Sequence, residues 1–174
     1  AATTPAKVKN FKATAYTKTV KFTWSEVENA DSYNIYVYKD GQYVLLGTSE
    51  GTSYKATGLS EGTEYDFYIR AYISLTNSTI KGSMTSVSAV TKPAKPDNLS
   101  ISGVTTSSHT VSWEETPGAN YYYVYRYSSK TKSYTVIGKT KDLSYKVTGL
   151  SSGKTYKYKV KGVLMKNGKE IAAG

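Results

Sequence analysis

The chain repeats itself. Displaced by 89 residues, Trp24 falls on Trp113, Ala30 on Ala119, Tyr33 on Tyr122 and Tyr36 on Tyr125. Two additional residues between Tyr127 and Tyr134 then shift the offset to 91. From there Gly47 meets Gly138, Ser53-Tyr54-Lys55 meets Ser144-Tyr145-Lys146, and Thr57-Gly58-Leu59-Ser60 meets Thr148-Gly149-Leu150-Ser151. Gly62 and Tyr65 follow onto Gly153 and Tyr156. Self-similarity on this scale means two homologous modules in tandem, 1–92 and 93–174, each long enough to bury its own core.

Within each copy the apolar period is two. Val20-x-Phe22-x-Trp24, Tyr33-x-Ile35-x-Val37 and Tyr65-x-Phe67-x-Ile69-x-Ala71 alternate inward and outward positions, as half-buried antiparallel strands do. Turn dipeptides separate the runs, among them Asp40-Gly41, Glu61-Gly62, Pro117-Gly118, Ser152-Gly153 and Asn167-Gly168. No segment carries three turns of amphipathic helix. The expectation is all-β: about seven short strands per copy, folded as a β-sandwich.

The residues that recur have a further meaning. A Trp on the second strand, then Ala-x-x-Tyr-x-Val/Ile, then Leu-x-x-Gly-x-x-Tyr, resembles the fibronectin type III pattern of immunoglobulin-like sandwiches. In the first copy it reads Trp24, Ala30, Tyr33, Ile35, Leu59, Gly62 and Tyr65; in the second, Trp113, Ala119, Tyr122, Val124, Leu150, Gly153 and Tyr156. The resemblance implies that Trp24 and Trp113 fill the space between sheets, beside Leu59 and Leu150. It also implies that Tyr65 and Tyr156 form corners whose hydroxyls bond to upstream backbone. The Lys- and Tyr-rich character, the Asn-Gly-Lys hairpin and the opening Pro-Ala-Lys-Val are similar to modules in surface or secreted proteins of Gram-positive gut bacteria.

Composition removes whole classes of chemistry. With no Cys and one His, there are no disulfides, thiolate sites, cysteine nucleophiles or multi-histidine metal centres. No apolar run approaches the roughly 18 residues of a membrane span. Neither cofactor, metal nor membrane insertion is expected.

The motifs that mimic active sites read better as structure. Gly47-Thr48-Ser49-Glu50-Gly51 spells the serine-hydrolase string, but it follows a strand and enters a turn rather than a helix. Gly149-Leu150-Ser151-Ser152-Gly153-Lys154-Thr155 falls one residue short of a phosphate loop and continues into Tyr156 and Tyr158 of a strand. His109 aligns with Val20, at the rim of the second sandwich. Glu114 and Glu115 are adjacent and point to opposite faces, so they cannot act as a pair. No nucleophile with its base survives, and the chain reads as no enzyme.

The charge is more informative. Residues 1–91 carry nine basic and eight acidic groups, whereas 92–174 carry fourteen and five. On the strand read as starting at Tyr156, the inward phase is Tyr156, Tyr158 and Val160, which sets Lys157, Lys159 and Lys161 on the outer face. The neighbouring strand turns Tyr123, Tyr125 and Tyr127 outward. A tyrosine ladder beside a lysine ladder is the candidate binding face. Its tyrosines suit sugars and its lysines suit anionic polymers. The same residues also serve simply as strand formers in a solvated sheet. Nothing marks specific nucleic-acid recognition. The first copy carries Tyr36, Tyr38, Tyr68, Arg70 and Tyr72 on the matching face.

Two features concern organisation. Thr91-Lys92-Pro93-Ala94-Lys95-Pro96-Asp97 is a stiff joint, implying an end-to-end pair on the order of 60–80 Å long. The first copy ends in Ser83–Thr91, a candidate seventh strand, but the second has only Lys169–Gly174 after its Asn-Gly turn. Most of its last strand is missing, and a chain cut short of its natural end is the expectation. An edge left unpaired there invites strand addition.

The functional expectation is a non-catalytic spacer of an extracellular or cell-surface protein, also serving adhesion. Its partners would be other domains of the parent chain, another surface protein, or a glycan. One alternative is a glycan- or polyanion-binding module using the Tyr/Lys face of the second copy. Another is accessory duty within a multidomain carbohydrate-active enzyme.

Overall fold

The period-two runs become strands in both copies, and the computed structural model describes residues 3–174. Among these, every regular element is a β-strand. The chain divides into two compact units between Thr91 and Lys92.

In the first unit, β1 (Lys12–Ala15), β2 (Val20–Thr23) and β5 (Ser53–Ala56) form one antiparallel sheet in the order β1-β2-β5. The facing sheet joins β4 (Gln42–Ser49), β3 (Ser32–Lys39) and β6 (Glu64–Leu75). One edge of β6 is shared by β7 (Ser78–Lys81) and β8 (Thr85–Val90). The expected seventh strand, Ser83–Thr91, appears as β8, and β7 is a further short strand separated from it by a break at Gly82. A Cβ there would lie 3.0 Å from the Pro5 carbonyl, so the break accommodates the incoming N-terminal segment. Thr85 fastens that segment by donating to the Val8 carbonyl at 2.8 Å.

The second unit repeats the plan. β9 (Ser100–Ser102), β10 (His109–Ser112) and β13 (Ser144–Val147) make one sheet. β12 (Ser133–Thr140), β11 (Tyr121–Ser128), β14 (Tyr158–Lys166) and β15 (Lys169–Ala173) make the other. β15 corresponds to β7. The match runs as far as the Gly174 N–H, which donates to the Gly162 carbonyl as Gly82 donates to Ala71. The described residues contain no counterpart of β8 in the second unit. The strand read as starting at Tyr156 begins instead at Tyr158. In the first unit Glu64 and Tyr65 pair with Val90 and Ala89 of β8. Their equivalents, Thr155 and Tyr156, lie ahead of β14, and the Lys157 carbonyl that follows them accepts from the Tyr127 N–H at 2.9 Å.

Each unit has its own core. Val20, Phe22, Trp24, Tyr33, Ile35, Phe67 and Ile69 lead the first, and Val111, Trp113, Tyr122, Val124 and Val160 the second. Buried phenols need partners. Tyr33 therefore accepts from the Val27 N–H at 2.8 Å, and Tyr122 from the Thr116 N–H at 3.1 Å.

One device recurs in both hairpins. The β3–β4 ladder skips Leu46 and the β11–β12 ladder skips Ile137, each a one-residue bulge. The orphaned bulge carbonyls are taken by tyrosines from the other sheet: Tyr54 donates to Leu46 at 2.6 Å and Tyr145 to Ile137 at 2.8 Å. Both rings lie flat against the next residue, Gly47 or Gly138, where any Cβ would overlap the phenol.

Candidate functional site

The outer face of the β12-β11-β14 sheet gathers the residues expected there. Register sets Tyr123 opposite Lys161 and Tyr125 opposite Lys159. Alternation then sends all four outward, while Tyr122 and Val124 between them are buried. Lys157 precedes β14 and still reaches this face, its ammonium 5.9 Å from the ring centre of Tyr127.

The third strand of the face brings residues that the sequence reading missed. β12 places Lys139 opposite Tyr123 and Tyr134 opposite Tyr127. The Lys139 ammonium stands 4.6 Å over the Tyr123 ring, and that of Lys159 stands 4.1 Å over Tyr134. Tyr127 and Tyr134 rings meet at 5.2 Å. The available signal was the hairpin itself: once Tyr127 pairs with Tyr134 across the turn, every second β12 residue joins the face. Tyr123 has a further neighbour in Glu170 on β15. Burial first, and then the hydrogen bond to Glu170, push its phenol above the usual range. That contact was not legible, because the β14–β15 ladder shifts at Leu164/Met165.

A groove of about 370 Å³ runs along this face, lined by Tyr125, Tyr134, Lys159, Lys161 and Pro96. Three of these rings, those of Tyr123, Tyr127 and Tyr134, thus carry a lysine of their own. Cation–π contact of this kind contributes about 0.5–1 kcal/mol at exposed sites and holds the ammonium in place. The arrangement is suited to presenting ordered positive charge, more than to offering bare rings for stacking.

The matching face of the first unit differs in kind. Tyr36 and Tyr72 hydroxyls meet at 2.6 Å, with the Asn34 amide donating to Tyr36 at 3.2 Å. Tyr38, Tyr43 and Tyr68 form a ring cluster with centroids 4.9–6.2 Å apart. Those tyrosines interact chiefly with one another.

The other singled-out residues have structural partners. Trp24 and Trp113 are 6% and 5% exposed. Leu59 is buried and Leu150 half-buried at the same corner. Tyr65 accepts from the Ser60 N–H at 2.9 Å and Tyr156 from the Ser151 N–H at 2.8 Å, which is the corner geometry. That bond, followed by nearby Lys154 and Arg126, lowers the Tyr156 phenol below its ordinary range. Ser49, of the hydrolase-like string, caps its own turn by bonding Gly51 and the Ser53 carbonyl. His109 is half-buried, with Nε2 at 2.9 Å from the Tyr158 hydroxyl.

Known proteins place this architecture. The chain is similar over 95% of its length, and 95% of the other's, to a two-domain fibronectin type III segment of chicken tenascin, with TM-score 0.55 and 22% identity. A protein named FN3tt is 26% identical over 52% of this chain and 97% of its own, with TM-score 0.46. The family model described as "Fibronectin type III domain" matches twice, at residues 6–86 and 94–171. Such domains are typically non-catalytic, and commonly structural or interaction modules. With both copies matched and the sandwich topology in place, the chain belongs to the fibronectin type III family.

Proposed function

We propose that this tandem pair is a non-catalytic interaction segment of an extracellular or cell-surface protein, holding an acidic glycan on the Tyr–Lys face of its second domain. The observation that carries the reading is the row of ammonium groups seated over tyrosine rings on one sheet. Ordering a lysine on binding ordinarily costs up to about 1.5 kcal/mol of side-chain entropy. Here part of that ordering precedes the ligand. The excess of nine positive charges over residues 92–174, against one over 1–91, supports the same face. Long-range attraction to a polyanion would be focused there. In a surface protein, the pair would also act as a spacer between other domains. The kinship with modules of Gram-positive surface proteins belongs to this proposal.

The test is retention on an immobilised acidic polysaccharide across a salt gradient. Wild type should elute late and with a steep salt dependence. Replacing Lys157, Lys159 and Lys161 together with Glu should abolish retention. Replacing Tyr134 with Ser should weaken it without changing the salt slope. Wild-type elution of the triple variant would end the reading.

A further inference from the structure

A second basic feature lies away from the groove on the Tyr–Lys face. Around the tip of the β11–β12 hairpin and the following corner, a cleft of about 710 Å³ is lined by Arg126, Lys130, Lys154 and Lys157. Its remaining lining is mostly hydroxyl-bearing and includes no carboxylate. Among the described residues, none of these four cations forms an ion pair.

Arg126 is the telling member. It continues the inward phase of Tyr122 and Val124, and the equivalent residue of the first domain is Val37, part of the apolar core and 7% exposed. An arginine half-buried at a core-phase position is costly unless its charge is met. Its guanidinium carbon lies 5.8 Å from the Tyr156 ring centre, which meets that charge only weakly.

The first domain supplies an internal control. At the positions of Lys154, Thr155 and Lys157 it carries Thr63, Glu64 and Asp66. The sandwich therefore needs none of these cations, and the same cleft position is acidic in one copy and basic in the other. We infer that the Arg126–Lys130–Lys154–Lys157 cleft is a discrete site for a tetrahedral oxyanion, a phosphate or sulfate group borne on a larger ligand. Arg126 supplies a planar fork for two oxygens, and the three lysines surround the remainder as point charges.

The experiment is an amide NMR titration of the whole chain with sodium phosphate, then sodium sulfate, each against sodium chloride at equal ionic strength. Saturable shifts are expected in Ser128–Thr131 and Gly149, absent with chloride. Arg126→Val and Lys154→Thr, the residues of the first domain, should each weaken binding by about tenfold or more. Lys159→Glu with Lys161→Glu, on the outer face, should leave the phosphate titration nearly unchanged while impairing polysaccharide retention. This separates failure of the site from failure of the face. Lys154 is exposed, so its variant keeps the fold if Arg126→Val does not. Equal shifts with chloride, or wild-type titrations in the variants, would overturn the site. Glucose 6-phosphate and glucose 6-sulfate, titrated alongside, assign the preferred anion.

Discussion

The His109 imidazole and the Tyr158 hydroxyl bond to each other at positions where the first domain carries the core residues Val20 and Phe67. Both apolar residues are fully buried in that domain, and both polar replacements are half-buried in the second. A polar pair is stable in such a place only while each member has the other.

Removing one member should therefore harm the second domain more than removing both. Tyr158→Phe alone is expected to cost about 1–3 kcal/mol, by leaving the imidazole unsatisfied. His109→Val combined with Tyr158→Phe should recover most of that loss. Urea unfolding of the two singles and the double supplies the cycle. Additive effects would show that the bond contributes nothing.

The two cores should melt in order. Among the described residues, fourteen buried apolar side chains make up the first core and six the second. Apolar burial is the dominant favourable term, so the second domain should unfold first on heating. Trp113→Ala, expected to cost about 3–5 kcal/mol, should lower that first transition and spare the other. Trp24→Ala should act on the later one. Calorimetry decides between this order and its reverse.

Alkaline pH should loosen both domains. Burial raises the Tyr158 phenol, with Arg126 opposing, and burial followed by the bond to Tyr72 raises Tyr36. A folded value above the unfolded one means the native state holds its proton more tightly. The associated stability is full below about pH 10 and is lost as pH rises through the folded values. Tyr156 is lowered, so its contribution runs the other way. Urea midpoints should fall above about pH 10, less in Tyr158→Phe and more in Tyr156→Phe. A midpoint that stays level to pH 11.5 or so would contradict this assignment.

The glycines under the tyrosine rings should not accept a methyl group. Gly47→Ala and Gly138→Ala each drive a Cβ into Tyr54 or Tyr145 and break the bond to the bulge carbonyl. A loss of about 1–3 kcal/mol is expected for each. Tyr54→Phe, which keeps the ring but frees the Leu46 carbonyl, should show a smaller loss. Indifference to all three would mean that the ring does not hold the bulge.

How much of this was readable depended on how local the cause is. Leu59 and Tyr65 lie close together in sequence, and they and Trp24 recur at Leu150, Tyr156 and Trp113, so fold and corner geometry were legible from one chain. The outward sense of Tyr123, Tyr125, Lys159 and Lys161 followed from alternation alone. The place of Lys139 and Tyr134 on the face was not legible, because it depends on hairpin register, which passes through the bulge at Ile137. Arg126 was also passed over. Its oddity appears only when its inward phase is compared with buried Val37. The extra strand β7 was not announced by a local signal, since the break at Gly82 that separates it from β8 faces Pro5, far away in sequence.

The ring-and-glycine clamps also bear on how these domains can change. The second hairpin is two residues longer at its tip than the first, yet Val124 faces Gly138 just as Ile35 faces Gly47. Because only a glycine fits beneath the phenol, alignment of the strands is re-established beyond the tip, whatever the tip contains. Residues between Ser128 and Ser133 are thereby released from folding duty. That segment is a natural cassette, where a foreign peptide can be inserted and displayed while the sandwich below keeps its pairing.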